Sequence, residues 1–187
     1  MISSLTNLYW AFFCNLKRLT EGWLIGLAAR LVFLGVIFNY YLNSFFTKVG
    51  EGFAGFFQIQ SGAYFQIDPA AMEASGYDVE QVSILSHLMV YFGTYTELIL
   101  PILIVIGLLT RISALGMIGF IAVQTFVDIK FHGVDQKTIG AWFDKAPDSV
   151  IWDQRSLWIF VLLALVIYGA GFFSVDHFLK RMKSKSS

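Results

Sequence analysis

The stretch that decides the fold is GTYTELILPILIVIGLLTR, from Gly93 to Arg111. It holds one acidic residue, Glu97, directly before an apolar run that is almost unbroken. A helix needs roughly 20 apolar residues to cross a bilayer, so this stretch predicts most of a membrane span. Because a charged group in hydrocarbon is expensive, we expect Glu97 to face the interior of the protein.

The composition of the whole chain agrees with a membrane protein. Of its 187 residues, 57% are hydrophobic and 14% are charged, and the mean hydropathy is +0.66. Soluble domains carry about a quarter of charged residues. The net charge of zero argues against a nucleic-acid partner and fits a chain whose main partner is the lipid bilayer.

Cysteine usage limits the cofactors. The single cysteine, Cys14, excludes an internal disulfide and an iron–sulfur cluster built by one chain. The sequence also lacks CxxCH, which excludes a covalently attached haem. We therefore expect no covalently bound cofactor.

Four segments are long and apolar enough to span a membrane, at about residues 23–46, 84–109, 112–129 and 157–173. Backbone groups in hydrocarbon must be satisfied within the protein, so these segments should be helices. The sequence predicts an all-α, four-helix transmembrane bundle, forming a membrane domain over residues 22–176.

Seven basic residues lie on one side of this bundle. They are Lys17 and Arg18 before the first span, Arg111 between the second and third, and Lys180, Arg181, Lys183 and Lys185 in the tail. The positive-inside rule places this side in the cytoplasm. We therefore predict cytoplasmic termini, a basic cytoplasmic tail at residues 177–187, and two connections that face outward.

Two further segments lie outside the spans. Residues 1–21 have apolar residues at helical spacing, which predicts an amphipathic helix lying in the membrane interface. A fifth span is the weaker alternative, because Asn7 and Asn15 interrupt the segment. The loop at residues 48–81 is long and aromatic, so we expect it to fold as a cap on the outer surface.

Arg30 and Glu97 lie at related depths in the first and second spans. At 1.5 Å per residue, Arg30 lies about 10 Å and Glu97 about 20 Å from the cytoplasmic side. A guanidinium can cover part of that gap, so we predict an ion pair in the bundle interior. Its role could be structural, fixing the order of the helices, or it could border a ligand site.

Polar residues recur every four positions in the outer half of three spans. The three stripes are Asn39, Asn43 and Thr47; His87, Tyr91 and either Thr94 or Tyr95; and Gln124, Asp128 and His132. Residues four apart share one face of a helix. If the stripes meet at the bundle axis, they form a polar pocket beneath the aromatic loop.

Three interpretations of this pocket remain open. A quinone could take hydrogen bonds from His87, Tyr91, Asn39 and Gln124. A metal ion could use Asp128 and His132 with His87 or Glu97, although two ligands at helical spacing are a weak signal, so no metal site is assigned. The third interpretation is hydrogen bonding between helices without a ligand.

Three stretches occur in order along the chain: AARLVFLGVIFNYYLNSFFTKVG, ELILPILIVIGLLTRISALGMIGF and DQRSLWIFVLLALVIYGAGFFSVDHFL. Together they resemble the DoxX family of four-helix membrane proteins, in its proteobacterial branch. The family's motif residues fall here on Arg30, Glu97, Pro101, Arg111, Asp153, Arg155 and Asp176. The resemblance implies a location in the bacterial inner membrane. It also implies a link to quinone-dependent oxidoreductases, since one relative is the membrane subunit of a thiosulfate:quinone oxidoreductase.

We assign structural roles to three of these residues. Asp153 should complement the dipole at the start of the fourth helix. Arg155 should extend to the outer headgroups. Asp176 should cap the short helix in the tail.

Three hypotheses of function follow. The first is a redox-associated protein that binds a quinone or a similar amphiphile, at most as an accessory subunit of an oxidoreductase. The second is a non-catalytic subunit that docks a periplasmic or membrane partner through its aromatic loop. The third is a small transporter for a metal or sulfur compound, for which a homo-oligomer would be expected.

Overall fold

A computed structural model of the chain describes the backbone of residues 2–185 and the side chains of residues 5–185. In chain order its helices are α1 (Ile2–Thr20), α2 (Leu24–Phe46), α3 (Gly52–Gly55), α4 (Ser61–Ile67), α5 (Pro69–Ala74), α6 (Ile84–Ile106), α7 (Thr110–Lys130), α8 (Gln136–Ile139), α9 (Val150–Tyr168) and α10 (Val175–Lys185). Of these, α2, α6, α7 and α9 are long and apolar enough to cross a membrane. The predicted all-α, four-helix membrane bundle is confirmed, since the described residues form no strand.

The four membrane helices form a closed ring. Helix α2 packs against α6 and α9, and α7 packs against the same two neighbours. Side chains from all four fill the centre: Phe33, Ile37, Ile104, Met117, Ile121, Leu162 and Leu165. The outer faces of the helices are exposed and apolar, as expected of surfaces that contact lipid. The chain is therefore a multi-pass membrane protein.

The two ends of the bundle differ. At one, which we call the basic end, lie α1, the tight α6–α7 turn with Arg111, and α10. At the other, which we call the loop end, lie the connections from α2 to α6 and from α7 to α9. The first of these connections has its own small core, in which Ala63, Tyr64, Met72 and Val82 pack with Val90 of α6. It is thus a folded unit that packs on α6, and its residues Gln66 and Ile67 line the cleft described below.

The fourth membrane helix begins and ends earlier in the sequence than predicted. It runs from Val150 to Tyr168, whereas the sequence pattern placed it at residues 157–173. The helix begins early because Arg155 is buried and paired, so its charge does not stop the span. It ends early because Gly169 and Gly171 adopt φ of 75° and 77°, which a helix does not accommodate.

Helix α2 contains a π-helical segment at Phe33–Phe38. Such a segment holds more residues per turn than an α-helix, so it rotates the residues after it relative to those before it. The faces on which Arg30 and Asn39 lie therefore cannot be related by simple helical spacing. This matters for the site, because Asn39 and Asn43 follow the segment.

Candidate functional site: a cleft between α6 and α7

A cleft of about 470 Å³ separates the loop-end halves of α6 and α7, and we call it the α6–α7 cleft. Its polar lining consists of Lys48, Gln66, Thr96, Glu97, Gln124, Asp128 and His132. Its apolar lining consists of Ile67, Met89, Phe92, Gly93, Gly116, Gly119, Phe120, Val123 and Val127. A volume of this size, with few polar groups among apolar walls, is typical of small-molecule sites.

A glycine of α7 leaves the cleft open toward lipid. A Cβ atom at Gly119 would meet no heavy atom within 4 Å, so this residue faces empty space. The side chains beside it, Phe92 and Val123, are 72% and 63% exposed on the outer surface of the bundle. The cleft is therefore open sideways, where a molecule dissolved in the bilayer could enter.

A buried ion pair between the turn after α2 and α6 forms one end of the cleft, which we call its inner end. The opposite end, near Asp128, is called the outer end. Lys48 Nζ lies 2.8 Å from Glu97 Oε2, and the two side chains are 2% and 5% exposed. The same ammonium donates to the carbonyl and to the hydroxyl of Ser44, at 3.2 and 2.7 Å. Such hydrogen bonds offset part of the cost of desolvating the pair.

A second ion pair borders the outer end. Arg155 Nη2 lies 2.5 Å from Asp128 Oδ2, and Arg155 Nη1 donates to the hydroxyl of Thr125 at 2.8 Å. Arg155 is buried, so the prediction that it extends to the headgroups is wrong. The guanidinium turns inward because the carboxylate of Asp128 lies on the neighbouring helix, and a paired charge is cheaper to bury than an unpaired one.

The third polar stripe lines the cleft as a unit. Gln124 bridges two tyrosines of α2: its Oε1 accepts from Tyr41 at 2.9 Å, and its Nε2 donates to Tyr40 at 2.9 Å. His132 lies in the turn after α7, and its Nε2 contacts the carbonyl of Gln66 at 3.1 Å, which ties this turn to the loop above the cleft. Gln66 and Ile67 of this loop close the cleft on that side.

The other two stripes do not reach the cleft. Asn39 and Asn43 are exposed on the outer face of α2, and neither amide has a hydrogen-bond partner within the described residues. His87 and Tyr91 occupy the face of α6 that does not line the cleft. These four residues were predicted to bind ligand, and the structure does not bring them together with Gln124, Asp128 and His132.

His87 instead fastens the loop to α6. The hydroxyl of Tyr64 lies 2.6 Å from His87 Nδ1. Burial raises the pKa of Tyr64, helped by the neighbouring Tyr91, so the phenol stays neutral and can donate to the imidazole. This contact contributes to the position of the loop beside the cleft.

The predicted pair between Arg30 and Glu97 is wrong. Arg30 lies at the basic end, where it donates to the carbonyls of Ile104 at 3.1 Å, Ala170 at 3.1 Å and Phe173 at 2.5 Å, and also to that of Val105. These carbonyls belong to the last turn of α6 and to the segment after α9, where helix ends leave acceptors unpaired. Arg30 thus joins two helix ends, and Glu97 has Lys48.

Asp153 and Asp176 both cap helices, although Asp176 caps a different helix from the one predicted. Asp153 accepts from the backbone N–H of Ser149 at 2.9 Å, and its own N–H donates to the Ser149 hydroxyl at 3.1 Å. Asp176 accepts from the N–H groups of Leu109 and Thr110, at 2.8 and 2.9 Å, so it caps α7. The start of α10 is capped by Ser174 instead.

No group of three or more His, Cys, Asp or Glu side chains that could hold a metal ion occurs among the described residues. His87, Asp128 and His132 were the weak candidates, and His87 is turned away toward Tyr64. What the cleft offers is a set of hydrogen-bonding groups around an apolar slot.

Lys48 is the residue that the sequence pattern missed. It lies directly after the first span, within the stretch Thr47-Lys48-Val49-Gly50, where a lysine would ordinarily extend to the headgroups. It is buried because the chain turns back at Val49, which pairs with Ile59 across an isolated bridge. A usable signal was the need of Glu97 for a cation in the same half of the bundle.

Comparison with known families gives a match over residues 25–130, to the family model described as DoxX. The match covers more than half of the chain and includes every residue that lines the cleft except His132. No curated protein and no solved structure matches the chain.

Proposed function

Because the chain belongs to the DoxX family of membrane proteins, we propose that it is a redox-associated protein of the bacterial inner membrane. It binds a quinone, or an amphiphile of similar shape, in the α6–α7 cleft. The observation that carries this proposal is the form of the cleft, which has polar groups at its ends and opens sideways between Phe92 and Val123.

The chemistry of the lining suits an uncharged molecule. The two carboxylates of the cleft, Glu97 and Asp128, each have a cation within 2.8 Å. The site therefore presents little net charge to an ion. A neutral ring can lie between the glycine-bearing faces of α6 and α7, and an apolar tail can leave through the opening into lipid.

Electron transfer requires a second protein in this proposal. The chain contains one cysteine, so it cannot cycle between a dithiol and an internal disulfide. A partner protein in the membrane or periplasm exchanges the electrons, and this chain supplies the binding site for the quinone. It would act as an accessory subunit.

A pair of glycine variants tests the proposal. Gly119→Leu places a side chain in the cleft, and Gly35→Leu places the same side chain on the outer face of α2, where a Cβ atom also meets nothing within 4 Å. A short-tailed benzoquinone should raise the unfolding temperature of the wild type and of Gly35→Leu. At 100 times Kd the expected stabilisation is about 2.7 kcal/mol.

Gly119→Leu should fold as well as Gly35→Leu but show no stabilisation by the quinone. Mass spectrometry of the protein purified in mild detergent should find a bound amphiphile in the wild type and none in Gly119→Leu. A wild type that retains no amphiphile and responds to neither the quinone nor its quinol, or a Gly119→Leu variant that responds equally, would contradict the proposal.

A second candidate function, docking of a partner, is favoured by the loop. Phe53 and Phe57 form an edge-to-face pair at 5.8 Å and are 87% and 58% exposed. Exposed aromatic rings on a folded surface are typical of interaction sites. Phe53→Ser with Phe57→Ser should abolish copurification of such a partner and leave quinone binding unchanged. A transporter for a metal or sulfur compound stays a prediction of the sequence.

A further inference from the structure

The hydrogen-bond donors that line the cleft are largely used within the protein. An ammonium group has three N–H donors. Lys48 directs these to Glu97 Oε2 and to the carbonyl and hydroxyl oxygens of Ser44. The strongest donor of the cleft therefore has none left for a ligand.

The hydrogen-bond acceptors of the cleft, in contrast, have lone pairs without a partner. A carboxylate offers about four lone-pair positions. Glu97 receives Lys48 and lies close to the hydroxyl of Ser44, and Asp128 receives Arg155. Both carboxylates line the cleft with acceptor capacity that these contacts do not fill.

His132 adds a third acceptor. Its Nε2 contacts the carbonyl of Gln66, which can only accept, so Nε2 carries the proton in the neutral ring. Nδ1 is then unprotonated and accepts. Gln124 retains one N–H after donating to Tyr40, and Thr96 and Gln66 can serve either way. Acceptors thus predominate in the lining.

We infer that the α6–α7 cleft prefers a ligand that donates hydrogen bonds, which for a quinone-type molecule is the reduced, dihydroxy form, the quinol. A quinone has carbonyl oxygens, which only accept and would face the lone pairs of Glu97. A quinol hydroxyl can donate to that carboxylate. The inference rests on the proposed function, because it names the form of the amphiphile that the site holds.

Three ligands that share one ring test the preference on the wild-type protein. They are a short-tailed benzoquinone, its quinol and the dimethyl ether of that quinol, which keeps the shape but has no O–H. Calorimetric titration under anaerobic conditions gives each Kd. The quinol should bind at least about tenfold more tightly than the other two, since a site built for a hydroxyl discriminates strongly against analogues that lack it.

Equal or tighter binding of the quinone would overturn the inference and leave the proposed function intact. Binding of none of the three would overturn the proposed function itself. The comparison needs no variant, so a failure of folding cannot obscure it.

Two variants then locate the contact. Glu97→Gln keeps an oxygen for Lys48 but replaces an acceptor with an amide donor, so the preference for quinol should fall to less than about threefold. Asn39→Leu changes a side chain on the outer face of α2, outside the cleft, and should keep the preference. A preference that survives in Glu97→Gln, or that is lost equally in Asn39→Leu, would overturn the assignment of Glu97 as the acceptor.

Discussion

The basic end and the loop-end half of the bundle both bury charged groups, but they use them differently. At the basic end, Arg30 and Asp176 bond backbone carbonyls and N–H groups at the ends of helices. In the loop-end half, Lys48 pairs with Glu97, and Arg155 pairs with Asp128, beside a cleft. A charged side chain that bonds backbone groups stabilises the fold. An ion pair that lines an open cleft can in addition contact a ligand.

This difference separates two kinds of variant. Changes at the basic end should alter the free energy of unfolding and leave ligand affinity unchanged in the folded protein. Changes beside the cleft should alter both. Variants of Lys48, Arg30, Asp176 and Asn39 test that separation.

Lys48→Met should have the largest effect on stability. It leaves the carboxylate of Glu97 buried without a cation, which typically costs about 3–5 kcal/mol. The unfolding temperature of the purified protein measures the loss. The double variant Lys48→Met with Glu97→Leu removes both charges and should recover most of it, and a double variant as unstable as Lys48→Met would contradict the pairing.

Arg30→Leu should come second, with a loss of about 2–4 kcal/mol, because the carbonyls at the ends of α6 and α9 lose their donor. The folded fraction should bind the short-tailed quinone or quinol with the affinity of the wild type. Calorimetry on the purified variant measures this. An affinity reduced tenfold or more would show that the basic end takes part in the site.

Asp176→Ala should reduce stability by about 1–2 kcal/mol, the usual value for a lost helix cap. The N–H groups of Leu109 and Thr110 lose their acceptor, so α7 should fray at its first turn. Hydrogen exchange at these two amides should accelerate. Ser174→Ala serves as a comparison, since that residue caps α10 and should leave both amides protected.

Asn39→Leu should have the smallest effect on binding, within about twofold of the wild-type affinity. Its side chain is exposed on the outer face of α2 and does not line the cleft. The matched variant Gln124→Leu removes a residue of the cleft and its bonds to Tyr40 and Tyr41, and should weaken binding clearly more. Equal effects of the two changes would place the ligand elsewhere.

The sequence predicted the fold because hydropathy and the need to satisfy backbone groups in lipid leave few alternatives. It predicted that Gln124 and Asp128 lie together because residues four apart share a face of a helix, whereas His132 lines the cleft from the turn after α7. It could not say which face of α6 turns toward α7. His87 and Tyr91 were therefore predicted to bind ligand, whereas Phe92, Thr96 and Glu97 are the residues of α6 that line the cleft.

The sequence did not predict which cation pairs with Glu97. Depth along a helix suggested Arg30 as a partner for Glu97, but depth does not give direction around the bundle. The π-segment at Phe33–Phe38 makes direction harder to infer, because it shifts the residues that follow. Lys48 becomes buried through the fold of the loop, which no local pattern of the span contains.

The α6–α7 cleft is tested most directly by photo-crosslinking in native membranes. A short-tailed quinone with an azido group on its ring is illuminated, and the labelled peptides are identified by mass spectrometry. We predict labels on residues 89–97 of α6 and residues 116–128 of α7, which excess unlabelled ligand prevents and Gly119→Leu abolishes. Labelling confined to the outer faces of α2 and α9, or unchanged in Gly119→Leu, would contradict a ligand site in the cleft.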